Sequence, residues 1–288
     1  MAKEDWDSAR LAQQRGDYVT ALALYRTLAE QGSARAQDNL GVMYESGLGV
    51  PKSYAEALKW YRRAADQGNR DAQNNLGVMY EYGHGVPRDP AAAVQWYRKA
   101  AAQGDTNAQH NLGNEYQSGL GVAQDHAEAL SWYRRAAAAR HPMAQANLGV
   151  MYEHGHGVPR DPAVALQWYR KAAEQGDTNA QHNLGNAYQS GVGVAQDHGE
   201  ALTWYRRAAA ARHPMSQANL GVMYEHGHGV GQDLIEAYKW YTLSAMTFRA
   251  SEAKSRGLVV RNRDQLAAQM TPAEIEEAHR RAREWRPK

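Results

Sequence analysis

A 36-residue period constrains this chain more than any other feature of its sequence. From the segment that begins at Ala36 and ends at Asp71, a leucine, a glycine, a tyrosine and a Trp-Tyr pair return every 36 residues. Leu40 and Gly41 each recur five more times, ending at Leu220 and Gly221. A fixed period of about 20–50 residues is typical of stacked supersecondary units. The sequence therefore predicts one continuous array rather than separate globular cores.

Each period predicts two antiparallel helices. The first, about Ala34 to Ser46, places Leu40, Met43 and Tyr44 on one apolar face at helical spacing, and Gly-x-Gly-Val ends it. The second helix begins at a capping residue that recurs with the period. These caps are Ser53, Asp89, Asp125, Asp161, Asp197 and Asp233. Four of them have Glu three residues later (Glu56, Glu128, Glu200 and Glu236), which predicts a reciprocal capping box.

The period weakens at both ends of the chain. Residues 1–33 predict a shortened helix pair that turns at Arg15-Gly16-Asp17, and 34–249 hold six 36-residue repeats. Residues 250–288 predict a longer helix to about Gln269 and a final helix with Thr271 as N-cap and Pro272 at its first position. Terminal units of an array need a polar outer face, so both ends are interpreted as caps of a single continuous solenoid.

These landmarks closely resemble the Sel1-like repeat family, a relative of the tetratricopeptide repeat. The shared pattern is Ala-x3-Leu-Gly-x2-Tyr-x2-Gly-x-Gly-Val, an acidic cap, and then Ala-x2-Trp-Tyr-x2-Ala-Ala, in six copies from Ala36 to Ala245. Ser216 and Ser244 replace alanines of the pattern in the last copy. The resemblance implies an all-α fold, a right-handed α/α superhelical solenoid, and a non-catalytic adaptor that binds other proteins. Bacterial members of the family are often exported.

Composition excludes several kinds of partner. Lys plus Arg number 33 and Asp plus Glu 31, so the overall charge does not indicate nucleic acid or an acidic membrane. The absence of cysteine excludes a disulfide framework and cysteine-based metal chemistry. No stretch of eighteen apolar residues occurs, and the start MAKEDWDSAR has no apolar segment, so we expect no membrane insertion. The compartment stays open: cytoplasmic as given, or periplasmic or secreted if a signal peptide was removed.

The polar positions of the first helix are the candidate binding groove. Helical geometry leaves Asp38, Asn39, Val42, Glu45 and Ser46 exposed, and in tetratricopeptide-like stacks this helix lines the concave side. One position is asparagine in every copy: Asn39, Asn75, Asn111, Asn147, Asn183 and Asn219. Its carboxamide could pair with the backbone of an extended peptide, or could bond locally to a neighbouring helix or loop. The sequence leaves both interpretations open.

Neighbouring positions vary from repeat to repeat and would determine specificity. They are His110, His182, Asn114, Asn186, Gln117, Gln189, Tyr82, His154 and His226, with Glu153 and Glu225 beside them. This polar surface indicates a protein or peptide partner rather than a deep small-molecule site, and we expect no cofactor.

Two other patterns have simpler interpretations. His-Gly-His occurs at His154/His156 and at His226/His228, but each pair lacks further metal ligands, which favours loop histidines over a metal site. The basic pairs of the second helices, such as Arg62-Arg63 and Arg98-Lys99, could follow phosphates. Solvated residues near helix C-termini are the better interpretation, because they favour the helix dipole.

Enzyme motifs are poorly represented. Neither Gly-x4-Gly-Lys nor His-Glu-x2-His occurs, and Ser251 to Lys254 matches Ser-x-x-Lys without its partner motifs Ser-Asp-Asn and Lys-Thr-Gly. A β-lactam- or peptidoglycan-directed enzyme, suggested by cysteine-rich relatives, is thus the weaker alternative. Residues 83–154 and 155–226 differ at only eight of 72 positions, which indicates a duplicated two-repeat block and leaves a designed or purely structural array as a third possibility.

Overall fold

The computed structural model describes residues 2–286, and its secondary structure in that range is helical, without strands. Between residues 2 and 286, sixteen α-helices follow one another through short loops. They are α1 (Ala2–Gln14), α2 (Tyr18–Glu30), α3 (Ala34–Ser46), α4 (Tyr54–Asp66), α5 (Arg70–Tyr82), α6 (Pro90–Ala102), α7 (Thr106–Ser118), α8 (His126–Ala138), α9 (Pro142–His154), α10 (Pro162–Glu174), α11 (Thr178–Ser190), α12 (His198–Ala210), α13 (Pro214–His226), α14 (Leu234–Thr247), α15 (Ala253–Ala267) and α16 (Pro272–Glu284).

Two compact units divide the chain. The first, Met1–His141, contains α1 to α8, and the second, Pro142–Lys288, contains α9 to α16. Within each unit, consecutive helices pack as pairs, and the second helix of one pair packs against the first helix of the next. This arrangement is the all-α solenoid that the period predicts.

A glycine–tyrosine contact joins the two helices of each repeat. Gly77 of α5 lies against the ring of Tyr97 in α6, and a Cβ built on Gly77 would lie 2.3 Å from Cε1 of that ring. Tyr97 is completely buried. The same contact joins Gly41 to Tyr61, Gly113 to Tyr133, Gly149 to Tyr169, Gly185 to Tyr205 and Gly221 to Tyr241. Glycine therefore recurs because the backbone of the first helix approaches an aromatic ring too closely for any side chain.

Glutamines connect neighbouring repeats. Gln37 is buried and its Nε2 donates to the carbonyl of Ala29 at the end of α2, 3.0 Å away. Its Oε1 accepts from Nε2 of Gln67 at 2.7 Å. Gln73 repeats both contacts, with the carbonyl of Ala65 and with Gln103. The last carbonyls of a helix have no partner within that helix, so each glutamine satisfies one of them across the repeat boundary.

The predicted caps form, but only half of the predicted box forms at the second helices. The Ser53 hydroxyl accepts from the backbone N–H of Glu56, as expected. The backbone N–H of Ser53 donates instead to the carbonyl of Tyr44 at 2.8 Å, and the carboxylate of Glu56 accepts from Lys59. The cap N–H at Asp125, Asp197 and Asp233 likewise donates to a tyrosine carbonyl. The prediction of a reciprocal box at these four helices is wrong, because the preceding helix already occupies the donor.

The C-terminal helices α15 and α16 pack against α14. Thr271 caps the start of α16, which confirms the predicted N-cap, and it forms a complete capping box with Glu274. Arg281 of α16 donates to Glu236 of α14 at 2.9 Å and to Glu277 at 2.8 Å. Glu236 also accepts from Lys239, so two cations surround one half-buried carboxylate. Within residues 2–286, no helix is long and apolar enough to cross a membrane.

Candidate functional site

The tyrosine of each repeat places its hydroxyl against the C-terminal half of the first helix. Tyr61 donates to Glu45 at 2.7 Å and Tyr97 to Glu81 at 2.6 Å. In the repeats with amide acceptors, the single hydroxyl proton of Tyr205 is shared between Gln189 Oε1 at 2.6 Å and Asn186 Oδ1 at 2.7 Å. The remaining acceptors are Gln117 and Asn114 for Tyr133, Glu153 for Tyr169 and Glu225 for Tyr241. We call the surface that carries these acceptors and the recurrent asparagines the first-helix face.

Burial and the acceptor beside it keep these tyrosines protonated. Desolvation raises the pKa of Tyr61 and Tyr97 far above the ordinary value of 10, and the charges of Glu45 and Glu81 raise it further. A neutral hydroxyl is a donor, so it fixes the neighbouring carboxylate or amide oxygen in one position. The first-helix face therefore presents preorganised acceptors in both units.

The recurrent asparagines are half-buried and form local hydrogen bonds. Asn75 donates through Nδ2 to Asp38 of the preceding repeat at 2.9 Å, and Asn111 donates to Asn74 at 3.1 Å. Asn219 donates to Asn186 at 3.2 Å, whereas Asn39 donates to the carbonyl of Arg35 in its own helix. Asn147 and Asn183 are also half-buried. These bonds support the local interpretation, although a carboxamide has a second N–H and further acceptor capacity.

Some positions expected to be exposed lie inside the stack. Asp38 is 8% exposed and His110 is 7% exposed, so the expectation that these positions face solvent is wrong. The imidazole of His110 stacks on His141 at 4.8 Å between ring centroids. His182 is half-buried, lies 4.6 Å from the ring of His213, and bonds to Ser216 through Nδ1 at 2.9 Å. Neighbouring repeats cover these side chains, which the helical pattern of a single repeat does not reveal.

Burial changes the protonation of these groups. Desolvation, together with the neighbouring imidazole, lowers the pKa of His110 and His182 to about 4, so both are neutral at physiological pH. Desolvation raises the pKa of Asp38 to about 6, and the negative charges of Asp71, Asp105 and Glu45 contribute to this rise. The hydrogen bond from Asn75 acts in the opposite direction. The first unit thus concentrates carboxylates on and beneath the first-helix face.

The other predicted residues are closer to solvent. Tyr82, 61% exposed, and the exposed His154 and His226 end their first helices, and Asn186 is also exposed. Asn114, Gln117 and Gln189 are half-buried and accept from the tyrosines. His226 lies 5.6 Å from His228 between ring centroids. Among residues 2–286, no three His, Asp or Glu side chains are arranged to hold a metal ion.

The basic pairs of the second helices have internal partners. Arg63 lies 4.7 Å from the centroid of the Trp60 ring, and Lys99 lies 3.9 Å from that of Trp96. Arg62 donates to the hydroxyl of Tyr80 in the next repeat at 2.6 Å. The cation–π contacts lie within one helix, whereas the hydrogen bond of Arg62 joins neighbouring repeats. Arg62, Arg63 and Lys99 are nevertheless exposed, as the interpretation as solvated residues expects.

Sequence reasoning also missed Glu115 in α7. This residue is 3% exposed, and its Oε2 has no hydrogen-bond partner among residues 2–286. Desolvation, with the charge of Glu81, raises the pKa of Glu115 to about 7, and Arg88 opposes the rise. The equivalent residues in the other repeats are Met43, Met79, Met151, Ala187 and Met223. Comparison of the repeats at this position would have shown the exception.

Known proteins similar to this chain were found by sequence and by structure. The sequence profile of the Sel1 repeat matches seven segments, residues 10–33, 34–69, 70–105, 106–141, 142–177, 178–213 and 214–246. The crystal structure of a Sel1 repeat protein from Oxalobacter formigenes is 34% identical, with a TM-score of 0.77, over 83% of this chain and 96% of that chain.

Two further structures share the fold. The protective antigen c5321 of uropathogenic Escherichia coli, described as having an SLR fold, is 27% identical with a TM-score of 0.52, over 98% of this chain and 83% of that chain. The immunity protein Pa5087 from Pseudomonas aeruginosa is 20% identical with a TM-score of 0.50, over 74% of this chain and 81% of that chain, a likeness of fold alone. None of the curated proteins matches.

Proposed function

Because this chain belongs to the Sel1 repeat family, whose solenoids commonly serve as protein-interaction scaffolds, we propose that it is a non-catalytic scaffold. It binds an extended peptide, or an exposed segment of a protein, along the first-helix face. The observation that supports this most is the row of acceptors held by buried tyrosine hydroxyls, such as Glu45 by Tyr61 and Glu81 by Tyr97. An acceptor already fixed in place loses little entropy when a peptide N–H binds to it.

The six recurrent asparagines, which we call the asparagine ladder, supply complementary hydrogen-bonding groups in this proposal. Asn75 and Asn111 each use one N–H of the carboxamide within the array. The second N–H and the free lone pairs match the alternating donors and acceptors of an extended backbone. Residues that vary around the ladder, such as Tyr82 and His154, would then contact peptide side chains and determine specificity.

The enzyme alternative gains no support from the site geometry. Ser251 lies in a short 3₁₀ turn (Ala250–Glu252), and Lys254 lies in the first turn of α15. Both side chains are exposed at the surface. An activated serine nucleophile requires a base within hydrogen-bond reach and an enclosed oxyanion site. Incubation with the chromogenic β-lactam nitrocefin should give no turnover above a heat-killed control.

The proposal is tested by removing the ladder. The combined variant Asn111→Ala, Asn147→Ala and Asn183→Ala should retain its helical circular dichroism and lose capture of the partner from cell lysate and culture fluid. The matched control changes exposed second-helix residues, Gln95→Ala and Gln167→Ala, and should capture the partner as the wild type does.

Captured proteins are then dissected into overlapping peptides, which are titrated against the purified chain by calorimetry. The proposal expects one segment to bind the wild type and the second-helix control equally, and the ladder variant more weakly. Equal binding by the ladder variant would remove the first-helix face from consideration. Binding that is lost only in the second-helix control would move the site to the opposite surface.

A further inference from the structure

Several of the differences between the two near-identical blocks fall around one place in the repeat. Of the eight differences between residues 83–154 and 155–226, three are Val94/Leu166, Glu115/Ala187 and Leu120/Val192. Leu166, Ala187 and Val192 line one small cavity of the second unit, together with Glu153 and Tyr169. Three of the eight differences thus meet at one cavity, and the other five lie elsewhere in the blocks.

A small cavity marks the equivalent place in the second unit. Beside Ala187 it has a volume of about 10 Å³, room for about one water molecule, and it opens toward solvent. Glu153, on its wall, is one of the acceptors of the first-helix face. In the first unit the equivalent position carries Glu115, and the equivalent wall residues are Glu81 and Tyr97. The carboxyl group of Glu115 therefore lies beneath the first-helix face, at the place where the second unit is open.

Glu115 has no structural partner that would explain a buried acid. Its Oε2 accepts no hydrogen bond from any residue in the range 2–286, and the side chain is 3% exposed. A buried polar atom without a partner costs stability, and methionine occupies this position in four other repeats. Such a group, retained where an apolar residue fits, indicates that its partner comes from another molecule.

The surroundings of Glu115 are negative and include an exposed aromatic ring. Glu81 is held by Tyr97 at 2.6 Å. Tyr82 is 61% exposed, and its hydroxyl lies against the carboxylate of Glu81, which raises the pKa of Tyr82. The nearest cation, Arg88, already donates its Nε to the backbone carbonyl of Glu81 at 2.9 Å. The residues equivalent to Tyr82 are serine or histidine, so this combination occurs at one pair of neighbouring repeats.

We propose that Glu115, Glu81 and Tyr82 form a recognition site for one cationic side chain, lysine or arginine, of the segment that binds the first-helix face. The two carboxylates accept the N–H groups of the cation, and the Tyr82 ring packs on it by a cation–π contact. The equivalent place in the second unit has Ala187 instead of Glu115 and so lacks the second carboxylate. This inference rests on the proposed function and adds the chemistry of the partner.

The test is selection from a random phage-displayed peptide library on the immobilised full chain. Wild-type selections should be enriched in lysine or arginine at one position, and selections on Glu115→Met should lose that enrichment. Methionine is the residue at the equivalent position of four repeats, so this variant should keep the fold. Glu115→Gln, which keeps the shape and removes the charge, provides a second variant. Glu128→Gln removes an exposed acid of the same unit and should leave the enrichment unchanged.

A synthetic peptide from the wild-type selection then measures the energetic coupling between Glu115 and the cation of the peptide. Its dissociation constant should rise at least about tenfold with Glu115→Gln, and by a similar factor when its cation is replaced with norleucine. The two changes together should raise the dissociation constant little more than either change alone. Tyr82→Ser should weaken binding several-fold.

The outcomes distinguish this inference from the proposed function. Selected peptides that bind the wild type and lose binding to the ladder variant support the scaffold. If such peptides show no cation enrichment, or bind Glu115→Gln with equal affinity, the cation site is overturned and the scaffold proposal stands. Full additivity of the two changes would also overturn it, because independent effects show that Glu115 and the peptide cation do not interact. A library that yields no binding peptide on any version of the chain would overturn both.

Discussion

The glycine–tyrosine contact gives a prediction whose sign opposes ordinary helix propensity. Gly77→Ala adds a methyl group in the middle of α5, which favours the helix by about 0.5–1 kcal/mol in the absence of contacts. Its Cβ would, however, lie 2.3 Å from Cε1 and 2.5 Å from Cδ1 of Tyr97. Carbon atoms in contact are separated by about 3.5–4.0 Å, so a completely buried ring must move by about 1 Å or more.

Moving the Tyr97 ring lowers stability because the ring is completely buried and its hydroxyl is hydrogen-bonded to Glu81. Overpacking a buried site costs about 1–3 kcal/mol. Moving the ring also strains the hydrogen bond from its hydroxyl to Glu81, which is worth about 1 kcal/mol. After the gain in propensity is subtracted, we expect Gly77→Ala to lower the free energy of unfolding by roughly 1–3 kcal/mol.

Urea unfolding followed by circular dichroism measures this change. The matched control is Gly257→Ala in α15, since no atom lies within 4 Å of a Cβ built there. It should raise the free energy of unfolding by about 0.5–1 kcal/mol. Hydrogen exchange should localise the loss in Gly77→Ala to α5 and α6, because repeats couple mainly to their neighbours. An equal stabilisation by both variants would refute the steric argument.

Three further predictions concern pH and the C-terminal cap. The buried tyrosines, Tyr97 among them, have pKa values raised above 10, so their contribution to the free energy of unfolding is fully present below pH 10. Stability should fall as the pH rises beyond 10, and urea titrations at alkaline pH measure this fall. His182 has a pKa lowered from 6.5 to about 4, so stability should fall as pH decreases through that window, by at most about 1.4 kcal/mol per pH unit. His182→Ala, which copies Ala146, should flatten that slope, and an unchanged slope would contradict the assignment. Arg281→Met should speed amide exchange in α16 several-fold through loss of the bond to Glu236, while the repeats keep wild-type protection.

Local signals in the sequence were sufficient for the helix pairs. The first helix was predicted from Ala34 to Ser46 and is observed with those bounds, because Ser33 caps its start and Gly47 takes a left-handed conformation at its end. Asp17, at the end of the predicted turn, caps α2, and its side chain accepts from the N–H of Thr20. Capping and helix-ending residues act within a few positions of themselves, so a single repeat contains the information they need.

The candidate site was harder to predict because it depends on contacts between repeats. A helical pattern placed Asp38 at the surface, but Asn75 of the next repeat covers it and bonds to it. The same limitation applies to Arg62, whose partner Tyr80 is 18 residues away. Contacts at this separation depend on how one repeat packs on the next, and this packing is a tertiary property. The six asparagines therefore stay a predicted binding ladder, while their local bonds are part of the fold.

In a periodic array, function is best sought where the period fails. The contact between Gly77 and Tyr97 and the bond from Gln73 to the preceding helix recur along the chain, so they build the stack and cannot distinguish one repeat from another. Glu115 departs from the period and costs stability, and that cost stays local because each repeat is supported by its neighbours. An array can tolerate one such unfavourable site without losing its fold. A costly exception in an otherwise uniform stack is thus stronger evidence for a binding site than any of the six asparagines that follow the period.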